Sequence, residues 1–234
     1  MKTSSIGWLL GSSALLGVGL YATAAGAESR FGSREHFWQG ELGVRTTFVT
    51  DPGFDPFAND DALTQLSLGV ARTVWDEDRV SFAPGVIWDY GWRNSTARGQ
   101  STSFTSHRIA LALEGRYHLF PFVYGLVRLT PGAVRQSMEV DDPLSPAPFV
   151  AQNWAFAFDA SAGAAFLLGP QLEDSVSPVR WWLAAEGGYS YAGSTSLLMH
   201  PDLADGDPRR TGDLNLGTLA VSGGFLRVYG SVTY

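Results

Sequence analysis

The sequence predicts an all-β fold: a transmembrane, up-and-down antiparallel β-barrel of about eight strands, preceded by a cleavable signal peptide. Three observations carry this. From Gln39 to the end of the chain, about eight segments alternate apolar and polar residues with the period of an extended strand, and turn-forming residues bound each one. In these segments the apolar face is bulky and aromatic, whereas the other face is rich in Gly, Ala and Ser and carries charges in mid-strand. The N-terminus runs from a positive start, Met1-Lys2, through an apolar stretch, Ile6 to Leu20, to the small-residue site Ala25-Gly26-Ala27. Gly11, Ser12 and Ser13 interrupt that stretch, which is short for a membrane-spanning helix, so export and cleavage fit it better than a retained anchor.

The segments follow in order. The first, about Glu41 to Val49, sets Leu42, Val44 and Phe48 against Glu41, Arg45 and Thr47, and Asp51-Pro52-Gly53 ends it. The second, about Ala62 to Trp75, sets Leu66, Leu68, Val70 and Val74 against Gln65, Ser67, Gly69 and Thr73, and Asp76-Glu77-Asp78 turns the chain into the third. There Val80, Phe82, Pro84, Val86, Trp88, Tyr90 and Trp92 make one face apolar along its whole length. The polar tract 94–103 reads as a loop. The fourth segment opposes Ile109, Leu111, Leu113, Tyr117 and Leu119 to Arg108, Glu114, Arg116 and His118, with a short turn at Phe120-Pro121. The fifth opposes Val123, Val127, Leu129 and Ala133 to Tyr124, Arg128, Thr130 and Gln136, and an acidic, proline-rich connection, 137–150, follows. The sixth places Trp154, Phe156, Phe158 and Phe166 opposite Asp159, Ser161 and Gly163; the seventh places Trp181, Leu183, Tyr189 and Tyr191 opposite Arg180, Trp182, Glu186 and Ser190. A long loop, about Gly193 to Val221, leads to the last strand, whose start is blurred by strand tendency around Leu214 to Val221.

The charged face decides the class. A soluble barrel points its apolar residues inward, and a membrane barrel points them at lipid. Small residues suit a narrow interior, and mid-strand charges would be costly toward lipid. The expected lumen network is therefore Glu41, Arg45, Asp89, Arg108, Glu114, Arg116, Arg128, Asp159, Glu186 and Arg227. The expected membrane-facing aromatics are Phe82, Trp88, Trp92, Trp154, Phe156, Phe158, Trp181, Tyr189 and Tyr191. On this scheme Val86→Arg impairs insertion far more than Ser81→Arg.

Composition excludes some functions. With no cysteine among 234 residues there is no disulfide framework and no thiolate metal site. A net charge of −7 argues against a nucleic-acid partner. The acidic stretches Asp55 to Asp61 and Asp202 to Asp207 read as ordinary turns, since the second lacks the spacing and closing Glu of a calcium loop, so no metal or cofactor is expected.

The closing stretch, Phe225-Leu226-Arg227-Val228-Tyr229-Gly230-Ser231-Val232-Thr233-Tyr234, alternates and ends on an aromatic residue, and it resembles the closing strand of bacterial outer-membrane barrels. From residue 38 onward the chain resembles the eight-stranded outer-membrane barrel family of the OmpA transmembrane-domain and OmpX kind. That resemblance rests on pattern, strand count and the terminal aromatic. It implies a division into a signal peptide (1–27), a short periplasmic segment (28–37) and the barrel (38–234), with both termini periplasmic and longer connections outside. It also implies contact with outer-membrane lipid and lipopolysaccharide, and recognition of the closing strand by the outer-membrane assembly machinery, with Tyr234 as the signal. With Tyr234 read as the end of the barrel, no peptidoglycan-binding domain is expected, and the tethering role of larger family members is not implied.

Eight strands leave an interior that side chains fill. Five carboxylates and five arginines there should pair, so the expected role is structural or interactive, in the cell envelope, with outer loops presented for binding. A narrow channel for small solutes is the second reading, and a lipid A-modifying enzyme the third. An enzyme is not expected: of His36, His107, His118 and His200, only His107 adjoins a serine, and Ser106 points to the opposite face of the strand. His118 reads as part of the charge network, and Arg209-Arg210 is a weak basic patch.

Overall fold

The computed structural model describes residues 38–58, 60–97, 99–168, 179–203 and 212–234. The signal peptide, the segment 28–37 with His36, most of the connection between the sixth and seventh segments, and Asp205, Asp207, Arg209 and Arg210 lie outside the described residues.

Strands that must satisfy every backbone N–H and C=O without water close into a ring. The strands are β1 (Trp38–Val49), β2 (Ala62–Arg72), β3 (Trp75–Glu77), β4 (Val80–Ala97), β5 (Gln100–Phe120), β6 (Val123–Asp141), β7 (Phe149–Leu168), β8 (Arg180–Ala192), β9 (Thr195–Pro201), β10 (Leu214–Leu219) and β11 (Gly223–Thr233). Eight of them, β1, β2, β4, β5, β6, β7, β8 and β11, pair in antiparallel succession, and β11 returns to β1. The closing seam runs from Gln39 opposite Thr233 to Val49 opposite Gly223. Beyond it, Trp38 and Tyr234 exchange backbone hydrogen bonds of 3.1 and 2.9 Å. The seam leaves neither β1 nor β11 with a free edge along this length.

The outer surface of the ring is an apolar belt. Leu42, Val44, Leu68, Val86, Leu111, Leu129, Phe156, Leu183 and Val228 are all exposed, while the charges level with them, such as Arg45, Asp89, Glu114, Arg128, Glu186 and Arg227, are buried inside. This is the polarity of a barrel dissolved in lipid.

Several connections differ from the sequence expectation. The tract 94–103 is strand on both sides, with Asn94 opposite Ser103 and Thr96 opposite Ser101, and the chain reverses at Gly99, whose φ of 85° suits glycine. β6 continues to Asp141 and β7 begins at Phe149, so the acidic connection shrinks to residues 142–148. The supposed long loop 193–221 contains β9 and β10, and Trp75–Glu77 forms a short hairpin with β4. The physical reason is common to all of these: Ser, Thr, Asn and Glu mark a strand whose outer face is wet as well as they mark a loop. Long outer connections are thus replaced by tall strands. β4 to β7 span 18, 21, 19 and 20 residues, about twice the ~9–11 that cross a bilayer. They form an extension at the end of the barrel opposite the termini.

Candidate functional site

The interior is layered from the terminal end to the far end. At the terminal end, Tyr124, Leu126, Trp182 and Tyr229 are buried in one cluster. The Tyr124 and Trp182 rings meet edge-on at 4.9 Å, and Trp182 Nε1 donates to Thr233 Oγ1 at 3.2 Å. His118 lies beside this layer, its ring 5.4 Å from Tyr124 and its Nε2 3.3 Å from Ser81 Oγ.

Above it sits the charge network. All ten residues expected in the lumen are buried there. Arg128 is the hub: it contacts Glu41 at 2.8 Å, Glu186 at 3.6 Å and Glu114 closer still, and it donates to Tyr229 Oη. Arg116 Nε reaches Glu114 at 2.5 Å, and Arg227 reaches Glu186 at 3.0 Å and Glu41 at 3.7 Å. A second set lies nearer the far end, where Arg45 and Arg108 each contact both Asp89 and Asp159 at 2.8–3.2 Å. Ser67 Oγ links the two, accepting from Arg227 Nη2 and donating to Asp89 Oδ1, each at 2.6 Å. Three arginines face three glutamates in the first set and two face two aspartates in the second, so each set is neutral by itself. Strong charge-assisted hydrogen bonds offset the cost of removing these ions from water. Small residues make the room: a Cβ on Gly69 would lie 3.2 Å from Glu41 Oε2, and one on Gly163 would lie 2.8 Å from Glu186 Cβ.

Beyond the second set is a cavity of about 20 Å³, bordered by Arg45, Gln65, Ser106, Arg108 and Val221. It has room for about one water. The far end is then filled by an apolar cluster of Phe104, Met138, Val140, Leu197, Met199 and Leu219 around Phe54 and Phe57 from the β1–β2 connection. Phe54 meets Phe104 edge-on at 5.4 Å. Asp51 fixes that connection: its Oδ1 accepts from Gly53 N at 2.8 Å and its Oδ2 from Ala220 N at 2.9 Å. Sequence reasoning missed both end layers. Phe54 and Phe57 carry no periodic signal, and Trp182 and Tyr124, though placed on the inner face, gave no hint of packing together.

Each aromatic expected toward lipid is on the outward face. Trp92, Trp154, Phe156, Trp181, Tyr189 and Tyr191 are exposed, and Phe82, Trp88 and Phe158 are half-buried among neighbours such as Tyr90. Among the described residues the histidines form no common centre. His107 faces out and Ser106 in, His118 and Ser81 are both 1% exposed, and His200 Nδ1 contacts Asp213 at 2.9 Å on the surface. Burial denies substrate access to Ser81 Oγ. Ser81 faces the lumen and Val86 the outside, and the packing around Ser81 means that an arginine there would also crowd the interior. Among the described residues no group of three or more His, Asp or Glu is placed to hold a metal ion, and Asp60 pairs with Arg93 at 3.0 Å.

No protein-family model and no curated protein matches the chain. Solved structures share the barrel shape loosely. The Ail attachment invasion locus protein of Yersinia pestis, in complex with the heparin analogue sucrose octasulfate, aligns at 10% identity and a TM-score of 0.47, over 85% of this chain and 97% of that one. Neisserial surface protein A aligns at 12% identity and 0.44, over 85% and 96%. The outer membrane protease OmpT from Escherichia coli aligns at 10% and 0.46, over 74% and 64%. Likeness of this degree says nothing of activity.

Proposed function

We propose that the chain is an integral protein of the bacterial outer membrane, with its termini in the periplasm, its extension outside the cell, and a lumen closed to steady ion flow. Its role is structural or interactive: it stabilises the envelope and presents the extension for binding, and it carries out no enzymatic reaction. One observation carries the reading: three layers of side chains, aromatic, ion-paired and apolar, fill the barrel from the terminal to the far end. An ion passing through would have to separate buried pairs and then cross an apolar plug. The belt contacts outer-membrane lipid and lipopolysaccharide, and the closing strand with Tyr234 is the part the assembly machinery engages.

The test is a planar-bilayer recording of the purified, refolded chain. Absence of stable single-channel steps is expected, and large, regular steps would overturn the closed-lumen reading. Heat-modifiable migration of a sarkosyl-insoluble fraction tests the membrane assignment separately. Deleting Tyr234 should lower assembly without altering export.

A further inference from the structure

The belt ends, toward the extension, in one cross-strand row with unusual chemistry. Tyr90 on β4 lies opposite His107 on β5, His107 opposite Arg135 on β6, and Arg135 opposite Trp154 on β7. All four point outward. Directly opposed side chains on antiparallel strands are ~5 Å apart at Cβ, so the row is one continuous surface. The Tyr90 and His107 rings are 4.8 Å apart, and Trp88 stacks against His107 from the row below at 6.2 Å. Trp154 is 61% exposed.

The neighbouring rows fix its position. The row toward the termini is Trp88, Ile109, Ala133 and Phe156, wholly apolar; the row toward the extension is Trp92, Thr105, Ser137 and Gln152, mostly polar. Arg135 therefore stands where lipid gives way to water. It has no ion-pair partner among the described residues, and neither its own row nor the adjoining two contain a carboxylate. Glu139, the next outward carboxylate along β6, is two rows away. Every member of the row can donate a hydrogen bond: phenol, imidazole, guanidinium and indole N–H.

From this we infer that His107 and Arg135 hold the phosphate of an outer-leaflet lipid headgroup, with Tyr90 and Trp154 flanking it at the interface. A guanidinium presents paired N–H groups that match phosphate oxygens, and tyrosine and tryptophan settle at this depth. The inference rests on the reading that the extension faces outward from the membrane. It identifies a site on the barrel wall, separate from the lumen.

The experiment uses the full chain refolded into phosphatidylcholine vesicles doped with bisphosphorylated lipid A or with dephosphorylated lipid A. Glycolipid retained per protein after detergent gel filtration is counted, with and without inorganic phosphate as competitor. Wild type should retain the phosphorylated form preferentially, Arg135→Gln should lose about tenfold in retention, and Arg135→Lys should lose less. His107→Gln should fall between wild type and Arg135→Gln. Arg72→Gln, at the terminal end, should match wild type. Equal retention by Arg135→Gln and wild type would overturn the inference, as would equal retention of the two glycolipids. Full displacement by inorganic phosphate would make it a free-anion site and overturn the lipid assignment. A wild-type chain that never becomes heat-modifiable in vesicles overturns the membrane reading as well, whereas insertion without discrimination overturns this inference alone.

Discussion

Strand β6 passes through two environments that ask opposite things of one backbone. In its first half Val127 and Leu129 face out while Arg128 and Thr130 face in; in its second half Arg135, Ser137 and Glu139 face out while Val134, Met138 and Val140 face in. The phase never slips between the halves. Polarity inverts around Gln136, a buried amide whose Oε1 accepts from Thr195 Oγ1 at 3.1 Å. The belt has a lipid exterior and an ion-paired interior, and the extension has a wet exterior and an apolar interior like that of a soluble domain. The strand supplies the two-residue period, and the medium outside decides which face is apolar.

Substitutions on this strand can break the comparison. Arg128→Leu strands Glu41 and Glu114 in the interior and should cost about 3–5 kcal/mol, read as a lowered midpoint of urea unfolding followed by the heat-modifiable gel shift. A midpoint equal to wild type would mean that the network contributes nothing net. Leu129→Arg, outward in the belt, should cost about 2–4 kcal/mol in the same measurement. Met138→Ala, inward in the extension, should cost roughly 2–3 kcal/mol. Its signature should differ: faster proteolysis of the far end with the belt still resistant. Simultaneous loss of both would show that the regions unfold as one unit. Ser137→Arg, outward in the extension, should stay within about 0.5 kcal/mol of wild type. A large effect there would place lipid higher on the wall than the belt implies.

The two regions were unequally legible. Alternation alone separates Leu129 from Arg128, because side-chain direction in a strand depends only on parity. The extension was harder, since Asn94, Ser95, Ser101 and Thr102 have loop composition and became strand only because each found a partner across the hairpin. Ion-pair partners were also out of reach. Arg45 and Asp159 are 114 positions apart and meet because barrel closure brings β1 and β7 across the lumen. The apolar plug is tertiary in the same way: Phe54 and Phe57 come from a connection, and nothing local indicates that they fold back over the barrel mouth.

The aromatic layer at the terminal end gives the molecule an internal reporter. Of the described tryptophans, Trp38, Trp75, Trp88, Trp92, Trp154 and Trp181 lie on the outside, and Trp182 alone is sealed within, 1% exposed. Acyl chains carrying bromine atoms should therefore quench most of the emission and spare a remnant. That residual fluorescence would come from the barrel's interior, and its disappearance in Trp182→Phe would confirm the source. Followed during refolding, it would time the sealing of the lumen separately from the arrival of the outer wall in the bilayer.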